Sequence, residues 1–169
     1  SGHALPASVV GMKVPQSIGH RLSQNQLRTV RVAVIRTAWN EDMVGALADG
    51  CVNTLISEGV LRHNIVTFTA PGSYELPLAA QWMIQKEQVD AVICIGILMK
   101  GETMHFEYIS EAVSRALMDL QLRTCVPVIY GVLNVLSKEQ ARARADPQSN
   151  LAYSWAMSAL TMTGLMIEK

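Results

Sequence analysis

Charged and aromatic residues are scarce in this chain of 169 residues, of which 17% are charged and 5% are Phe, Trp or Tyr. The 14 basic side chains balance the 14 acidic ones, and no basic stripe interleaved with aromatic residues is present. Because nucleic-acid binding depends on clustered positive charge, we predict no nucleic-acid partner.

Long apolar runs are missing as well, although 50% of the residues are hydrophobic and the mean hydropathy is positive. A charged residue or a glycine interrupts every run before it reaches the roughly 20 residues that cross a bilayer. We therefore predict no membrane association. The excess apolar surface is expected to be buried between the subunits of a homo-oligomer instead.

Cysteines number only three, and Cys51, Cys94 and Cys125 lie far apart. An odd number without a close pair favours free thiols in a reducing compartment, so a cytoplasmic location is predicted. The four histidines are scattered, and they lack the spacing that metal ligands require. We therefore predict no metal site.

Acidic residues are absent from residues 1–40, whereas Lys13 and four arginines are present there. Basic, acid-poor leaders occur on organelle-targeted proteins, and the alternative is a plain flexible arm. Residues 1–28 contain Pro, Gly and Ser without periodicity, which predicts an extended N-terminal arm. Residues 29–169 are predicted to form one domain.

Strand-like and helix-like segments alternate through that domain. The predicted strands are 30–37, 64–70, 90–98 and 126–135, and the predicted helices are 40–59 with Asn40 as its cap, 71–88, 103–122, a short one from 137, and 150–166. Because the strands are almost wholly apolar and the crossovers are long, parallel pairing is expected. The predicted fold class is α/β: a flavodoxin-like, three-layer helix–sheet–helix sandwich with a four-stranded parallel sheet.

Unusual polar residues collect where the predicted strands end. The four segments are TAWN (37–40), APGSYE (70–75), MKGETMH (99–105) and YGV (130–132). Ligands of parallel α/β sheets bind at the carboxyl ends of the strands. We therefore predict a binding site where these segments meet.

The segment after the third strand suits an anion such as phosphate. Gly101 allows a tight turn, Glu102 and Thr103 are predicted to begin a helix, and Lys100 adds a positive charge. Free N–H groups and the helix dipole favour an anion there, and the alternative is that Thr103 only caps its helix. His105 suits proton transfer, because imidazole can both accept and donate a proton near pH 7. The alternative is a histidine held by a backbone carbonyl.

Other side chains at the strand ends have two interpretations each. Trp39 is either a core residue or a flat platform for a heterocycle. Glu75 either complements its helix dipole or accepts hydrogen bonds from hydroxyl groups. Tyr130 either packs in the core or faces a neighbouring subunit. Of Arg142 and Arg144, which face different directions, one can grip a phosphate while the other is a solvated charge.

Taken together, these segments resemble the 6,7-dimethyl-8-ribityllumazine synthases of riboflavin biosynthesis, and the fungal type most closely. The resemblance covers about residues 30–168. Its motifs, in order, are WN (39–40), APGSYELP (70–77), GILMKGETMHFEYI (96–109), PVIYGVL (127–133) and EQARARA (139–145).

The resemblance implies a reaction that needs no cofactor. The family condenses 5-amino-6-(D-ribitylamino)uracil with 3,4-dihydroxy-2-butanone 4-phosphate: an imine forms, phosphate leaves, and ring closure with loss of water gives the lumazine. The family also builds its sites between the subunits of a pentamer, and some members assemble twelve pentamers into a hollow shell of 60 subunits.

The resemblance also implies roles for individual residues. His105 and Arg144 are expected to be catalytic, with His105 moving protons and Arg144 holding the departing phosphate. Gly101, Glu102, Thr103 and Arg144 are expected to bind that phosphate. The remaining substrate-binding residues expected are Trp39, Asn40, Gly72, Ser73, Tyr74, Glu75, Ile97, Leu98, Met99, Lys100 and Tyr130, with Tyr130 supplied by the adjacent subunit.

Two departures from the family pattern leave other functions open. The segment 146–155 is shorter than in relatives and lacks their His, Lys and Gly residues, and Ala38 stands where many relatives have Arg. The alternatives are a homologue that binds lumazine or flavin without turnover, or a shell-forming structural protein. A flavodoxin-like electron carrier or a receiver module is disfavoured; a receiver would need an acidic cluster after the first strand, and RTAWN provides none.

Overall fold

A computed structural model of the chain describes residues 19–168. Four strands alternate with five of the six α-helices, and three short 3-10 turns complete the described part. In chain order the elements are α1 (Gln24–Leu27), β1 (Val32–Thr37), α2 (Glu41–Glu58), a 3-10 turn (Arg62–Asn64), β2 (Ile65–Ala70), a 3-10 turn (Ser73–Glu75), α3 (Leu76–Lys86), β3 (Ala91–Met99), α4 (His105–Thr124), β4 (Val128–Val135), α5 (Lys138–Ala145), a 3-10 turn (Pro147–Ser149) and α6 (Leu151–Ile167).

The sheet has the order β2-β1-β3-β4, and every pair is parallel. Its register creates a step at the carboxyl edge. Strands β1 and β2 end level with each other, at Thr37 and Ala70. The pairing of β3 with β1 stops at Ile95. From there β3 continues beside β4 alone, as far as Met99 opposite Val135. The end of β3 therefore stands beyond the ends of β1 and β2 and forms a wall beside them.

Helices cover both faces of the sheet, which is why the strands are apolar on both faces. Val34 and Ile93 point to the side covered by α2, α5 and α6. Ala33 and Cys94 point to the side covered by α3 and α4. The observed fold is thus the predicted flavodoxin-like sandwich of three layers around a four-stranded parallel sheet. No helix within residues 19–168 is long and apolar enough to cross a membrane.

The N-terminal prediction needs correction. Residues 1–18 lie outside the described residues, but Gln24–Leu27 form α1 rather than an extended arm. Ser23 and Gln26 make a reciprocal capping box, with Ser23 N–H donating to Gln26 Oε1 at 2.8 Å and Gln26 N–H donating to Ser23 Oγ at 3.2 Å. Leu27 is fully buried in the core. Capping and burial together explain a helix this short.

Two predicted helix starts also differ from the structure. Asn40 does not cap α2 with its side chain; it adopts the left-handed conformation with φ of 54°, which asparagine tolerates better than most residues. The helix predicted from residue 103 begins at His105 instead. Thr103 stays outside it because its Oγ1 accepts the N–H of His105 at 3.3 Å.

Candidate active site

A cavity of about 690 Å³ lies at the step between the end of β3 and the ends of β1 and β2. This volume suits a small organic ligand. Each of the first three strands contributes its carboxyl end or the loop that follows, and α4 contributes its first residues. The lining residues are Trp39, Asn40, Gly72, Ser73, Tyr74, Glu75, Ile97, Leu98, Met99, His105 and Ile109.

The loops after β1 and β2 meet at Gly72. The N–H of Ala38 donates to the carbonyl oxygen of Ala70 at 2.9 Å, which ties the two loops together. A Cβ added to Gly72 would lie 3.2 Å from Glu75 Oε2 and 3.7 Å from Trp39 Nε1. The indole, 71% exposed, and the carboxylate therefore flank one glycine. This arrangement can stack a flat ring beside an acceptor for hydroxyl groups.

The turn that carries Glu75 rests on β3 through Ser73. A Cβ added to Gly96 would lie 2.7 Å from Ser73 Oγ and 3.2 Å from Thr37 Cγ2, so only glycine leaves room for this contact. Ser73 is buried, although the other two residues of its turn, Tyr74 and Glu75, are exposed. The lack of a side chain at Gly96 therefore determines how closely the turn packs on the sheet. Sequence reasoning missed Gly96, although a glycine inside an apolar strand indicates a close backbone approach.

His105 is the first residue of α4 and lines the cavity. Its side chain is exposed, and its position at the rim suits transfer of protons to and from a bound molecule. Ile109, one turn further along α4, lines the same wall. Ile109 was not predicted from the sequence, although its spacing of four residues from His105 places it on the same helical face.

Six predicted residues lie outside this cavity. Gly101, Glu102 and Thr103 form an exposed turn beyond β3, and Lys100 Nζ donates to the carbonyl oxygen of Thr103 at 3.3 Å and to Glu107. The two others, Tyr130 and Arg144, belong to β4 and α5.

Tyr130 and Arg144 are held by their own surroundings. Tyr130 lies in the middle of β4 opposite Cys94, and its hydroxyl contacts Ser114 Oγ at 2.6 Å and accepts from Asn134 Nδ2 at 2.8 Å. Arg144 Nη1 donates to the carbonyl oxygen of Gln140 at 3.1 Å. Within one chain, neither residue reaches the cavity.

The buried thiols are not available as nucleophiles. Burial raises the pKa of Cys51 and that of Cys94 to about 12, so both stay protonated and unreactive near neutral pH. Among residues 19–168, no group of three or more His, Cys, Asp or Glu side chains is placed to hold a metal ion.

The amino-acid sequence matches known proteins over most of the chain. The family described as 6,7-dimethyl-8-ribityllumazine synthase matches residues 29–166. Proteins of that name from Schizosaccharomyces pombe and Cytophaga hutchinsonii are 43% and 41% identical to this chain, over 79% and 76% of it and 86% and 82% of themselves. The one from Pyricularia oryzae is 35% identical, over 82% of this chain and 89% of its own length. This chain therefore belongs to the 6,7-dimethyl-8-ribityllumazine synthase family.

Proposed function

We propose that this chain condenses 5-amino-6-(D-ribitylamino)uracil with 3,4-dihydroxy-2-butanone 4-phosphate to give 6,7-dimethyl-8-ribityllumazine, the penultimate step of riboflavin synthesis. The family match over residues 29–166 supports this activity. One structural observation carries the assignment to this site: the step in the sheet brings Trp39, Glu75 and His105 to a single cavity.

The cavity suits the pyrimidine substrate. Trp39 presents an exposed aromatic face on which the pyrimidinedione stacks. Glu75, beside the same Gly72, accepts hydrogen bonds from ribityl hydroxyl groups. The end of β3, at Ile97–Met99, and the turn around Ser73 and Tyr74 enclose the remaining sides.

His105 transfers protons during the condensation. The substrate amine attacks the ketone carbon, and loss of water gives the imine. Loss of the proton at C3 and of phosphate from C4 then gives an enol, which tautomerises to a new carbonyl at C3, and attack of the second nitrogen on that carbonyl closes the ring with loss of a further water. Each step moves protons between nitrogen, carbon and oxygen, which imidazole can accept and return.

The phosphate binds at the turn before α4. Gly101, Glu102 and Thr103 are exposed there, and α4 is 20 residues long. The free N–H groups at the start of such a helix and its dipole favour an anion.

A second copy of the chain completes the site in this proposal. Tyr130 and Arg144 lie outside the cavity of their own chain, so they act only if a neighbouring copy brings them there. An apolar groove of about 440 Å³ between α3 and α4, lined by Tyr74, Leu78 and Ala116 among others, gives such a neighbour a surface to cover. We assign the assembly as a homopentamer, the form that the resemblance implies, with a shell of pentamers as its larger alternative.

The reaction is proposed to need no metal or organic cofactor and to take place in the cytoplasm. Condensation, elimination of phosphate and loss of water change no oxidation state overall. The three cysteines are free, which is compatible with a reducing compartment.

A homologue that binds lumazine without turnover is the second candidate, and one observation favours it. The segment after Arg144 is closed into a compact turn, with Asp146 Oδ1 accepting the N–H of Gln148 at 2.8 Å and Ser149 Oγ donating to the carbonyl oxygen of Arg144 at 2.7 Å. It therefore provides no long loop beside Arg144.

Mixing the two substrates with the protein and following the fluorescent product distinguishes the candidates. The proposed function predicts product formation in proportion to enzyme concentration. Tight binding of the lumazine with no enzyme-dependent product would overturn the catalytic assignment and support the binding protein.

A further inference from the structure

Lys100 and Glu107 close the turn between β3 and α4. The N–H of Lys100 donates to the carbonyl oxygen of Val135 at 2.9 Å, which extends the pairing of β3 with β4. Its side chain then crosses the turn, where Nζ donates to the carbonyl oxygen of Thr103 at 3.3 Å and to Oε1 of Glu107 in the first turn of α4. Lys100 therefore links the sheet, the turn and the helix.

The contacts of Lys100 extend to two parts of the proposed site, the phosphate-binding turn and His105. Thr103, whose carbonyl oxygen Lys100 binds, also accepts the N–H of His105 at its Oγ1. The exposed residues Gly101 and Glu102 lie between Lys100 and Thr103. The phosphate turn and His105 are thus fixed by contacts that do not line the cavity.

The ionisation of Glu107 depends on the positive charge of Lys100. The side chains of Lys100 and Glu107 are 33% and 40% exposed, so water shields them only in part. The hydrogen bond from Lys100 holds the pKa of the Glu107 carboxyl below its ordinary value. Glu107 Oε2 is buried and makes no hydrogen bond within the described part of the chain. Without Lys100, a carboxylate with one unsatisfied oxygen would stand one turn or less from an anionic substrate.

We propose that Lys100 and Glu107 act as a pair of positioning residues that lock the turn at residues 100–104 and neutralise the carboxylate beside the phosphate. This role rests on the proposed condensation reaction. It makes the Lys100–Glu107 pair a further requirement for binding the phosphorylated substrate. Lys100 is committed to Glu107 and Thr103 and does not bind the substrate directly, which differs from its predicted role as a substrate-binding residue.

The test uses Lys100→Met, Glu107→Gln and the double variant in the full-length protein. We expect each single variant to raise the KM for the butanone phosphate about fivefold, the order that a partly exposed pair provides. The KM of the double variant should not exceed that of either single variant, because removal of one partner already abolishes the pair. The KM for the pyrimidine should stay unchanged, because the pair does not line the cavity, and the melting temperature should fall only slightly.

Arg115 and Glu111 provide the matched control. They form an exposed ion pair of 2.6 Å on the same helix. Arg115→Met and Glu111→Gln should leave both KM values as they are. In the resting protein, amide hydrogen exchange of the peptide 99–108 should be about fivefold faster in Lys100→Met and in Glu107→Gln and unchanged in the control variants.

Two results would overturn the proposal. If Lys100→Met raises the KM but Glu107→Gln leaves it unchanged or lowers it, Lys100 contacts the substrate directly. If neither variant changes the exchange of peptide 99–108, the pair does not lock the turn. A wild-type protein without condensation activity would refute the proposed function, while the exchange measurement would still decide whether the lock exists.

Discussion

The rim formed by β1, β2 and β3 and the edge formed by β4 and α5 contribute differently to the site. The rim assembles its cavity within one chain, because β3 extends beyond the ends of β1 and β2. The edge carries Tyr130 and Arg144, whose side chains are held within β4, α4 and α5. Binding of the pyrimidine is therefore expected to depend on one chain, whereas we propose that completion of the reaction depends on two.

The largest effect on the rim is expected from Gly96→Val. The added side chain would collide with Ser73 Oγ, which lies 2.7 Å from the position of a Cβ, and would displace the turn that carries Glu75. We expect a loss of stability of about 1–3 kcal/mol and a fall in kcat/KM of about 10²-fold from misplacement. Chemical denaturation and the fluorescent assay measure the two effects. Gly19→Ala is the control, since its Cβ would meet nothing within 4 Å, and equal behaviour of the two variants would refute the role of Gly96.

His105→Ala tests the chemistry of the rim without changing its shape. We expect kcat to fall by roughly 10²-fold, the usual contribution of a proton-transfer group. Binding of the lumazine product should change little. His63, an exposed histidine outside the cavity, provides the control as His63→Ala. An unchanged kcat in His105→Ala would remove this residue from the mechanism.

Trp39→Ala tests whether the rim alone binds the heterocycle. Loss of one stacked ring should weaken lumazine binding about tenfold, with a smaller effect on the KM for the phosphorylated substrate. Titration of intrinsic fluorescence against the ligand measures the affinity. Trp82, on α3 outside the cavity, serves as the control, and equal loss in Trp82→Ala would contradict a stacking role for Trp39.

The smallest effect expected concerns pH and the turn before α4. The folded pKa of Glu107 is lowered from the ordinary value of 4.5, so its stabilising contribution is present above that pH and is lost as the pH falls through the folded pKa. The melting temperature of the wild type should therefore exceed that of Glu107→Gln at pH 6, and the difference should shrink below about pH 4.5. A difference that stays constant from pH 6 to pH 3 would contradict the ionised pair.

Local patterns predicted the elements of the fold but not their register. The apolar run at 90–98 identified β3 as a central strand, and the alternation of elements predicted the parallel sheet. The step at Ile95 arises from how far each strand pairs with the next, which no local pattern contains. Helix α1 could have been predicted, because Ser23 and Gln26 have the spacing of a capping box.

The sequence indicated which loops line the cavity, but it did not indicate the tertiary contacts beside it. Trp39, Glu75 and His105 were expected to meet, and they line one cavity. Lys100 was expected to add a positive charge beside the substrate, and the structure pairs it with Glu107, seven residues along the chain. Such a pair forms only when the turn between them folds back, so the residue types alone did not indicate it.

Mixing two inactive variants tests most directly whether one chain provides the rim and the next provides the edge. His105→Ala and Arg144→Ala should each be strongly impaired alone. After they are unfolded and refolded together in equal amounts, a site that takes His105 from one copy and Arg144 from its neighbour should be intact in about a quarter of cases, and activity should return to that fraction of the wild type. A mixture no more active than the two variants measured separately would contradict the shared site.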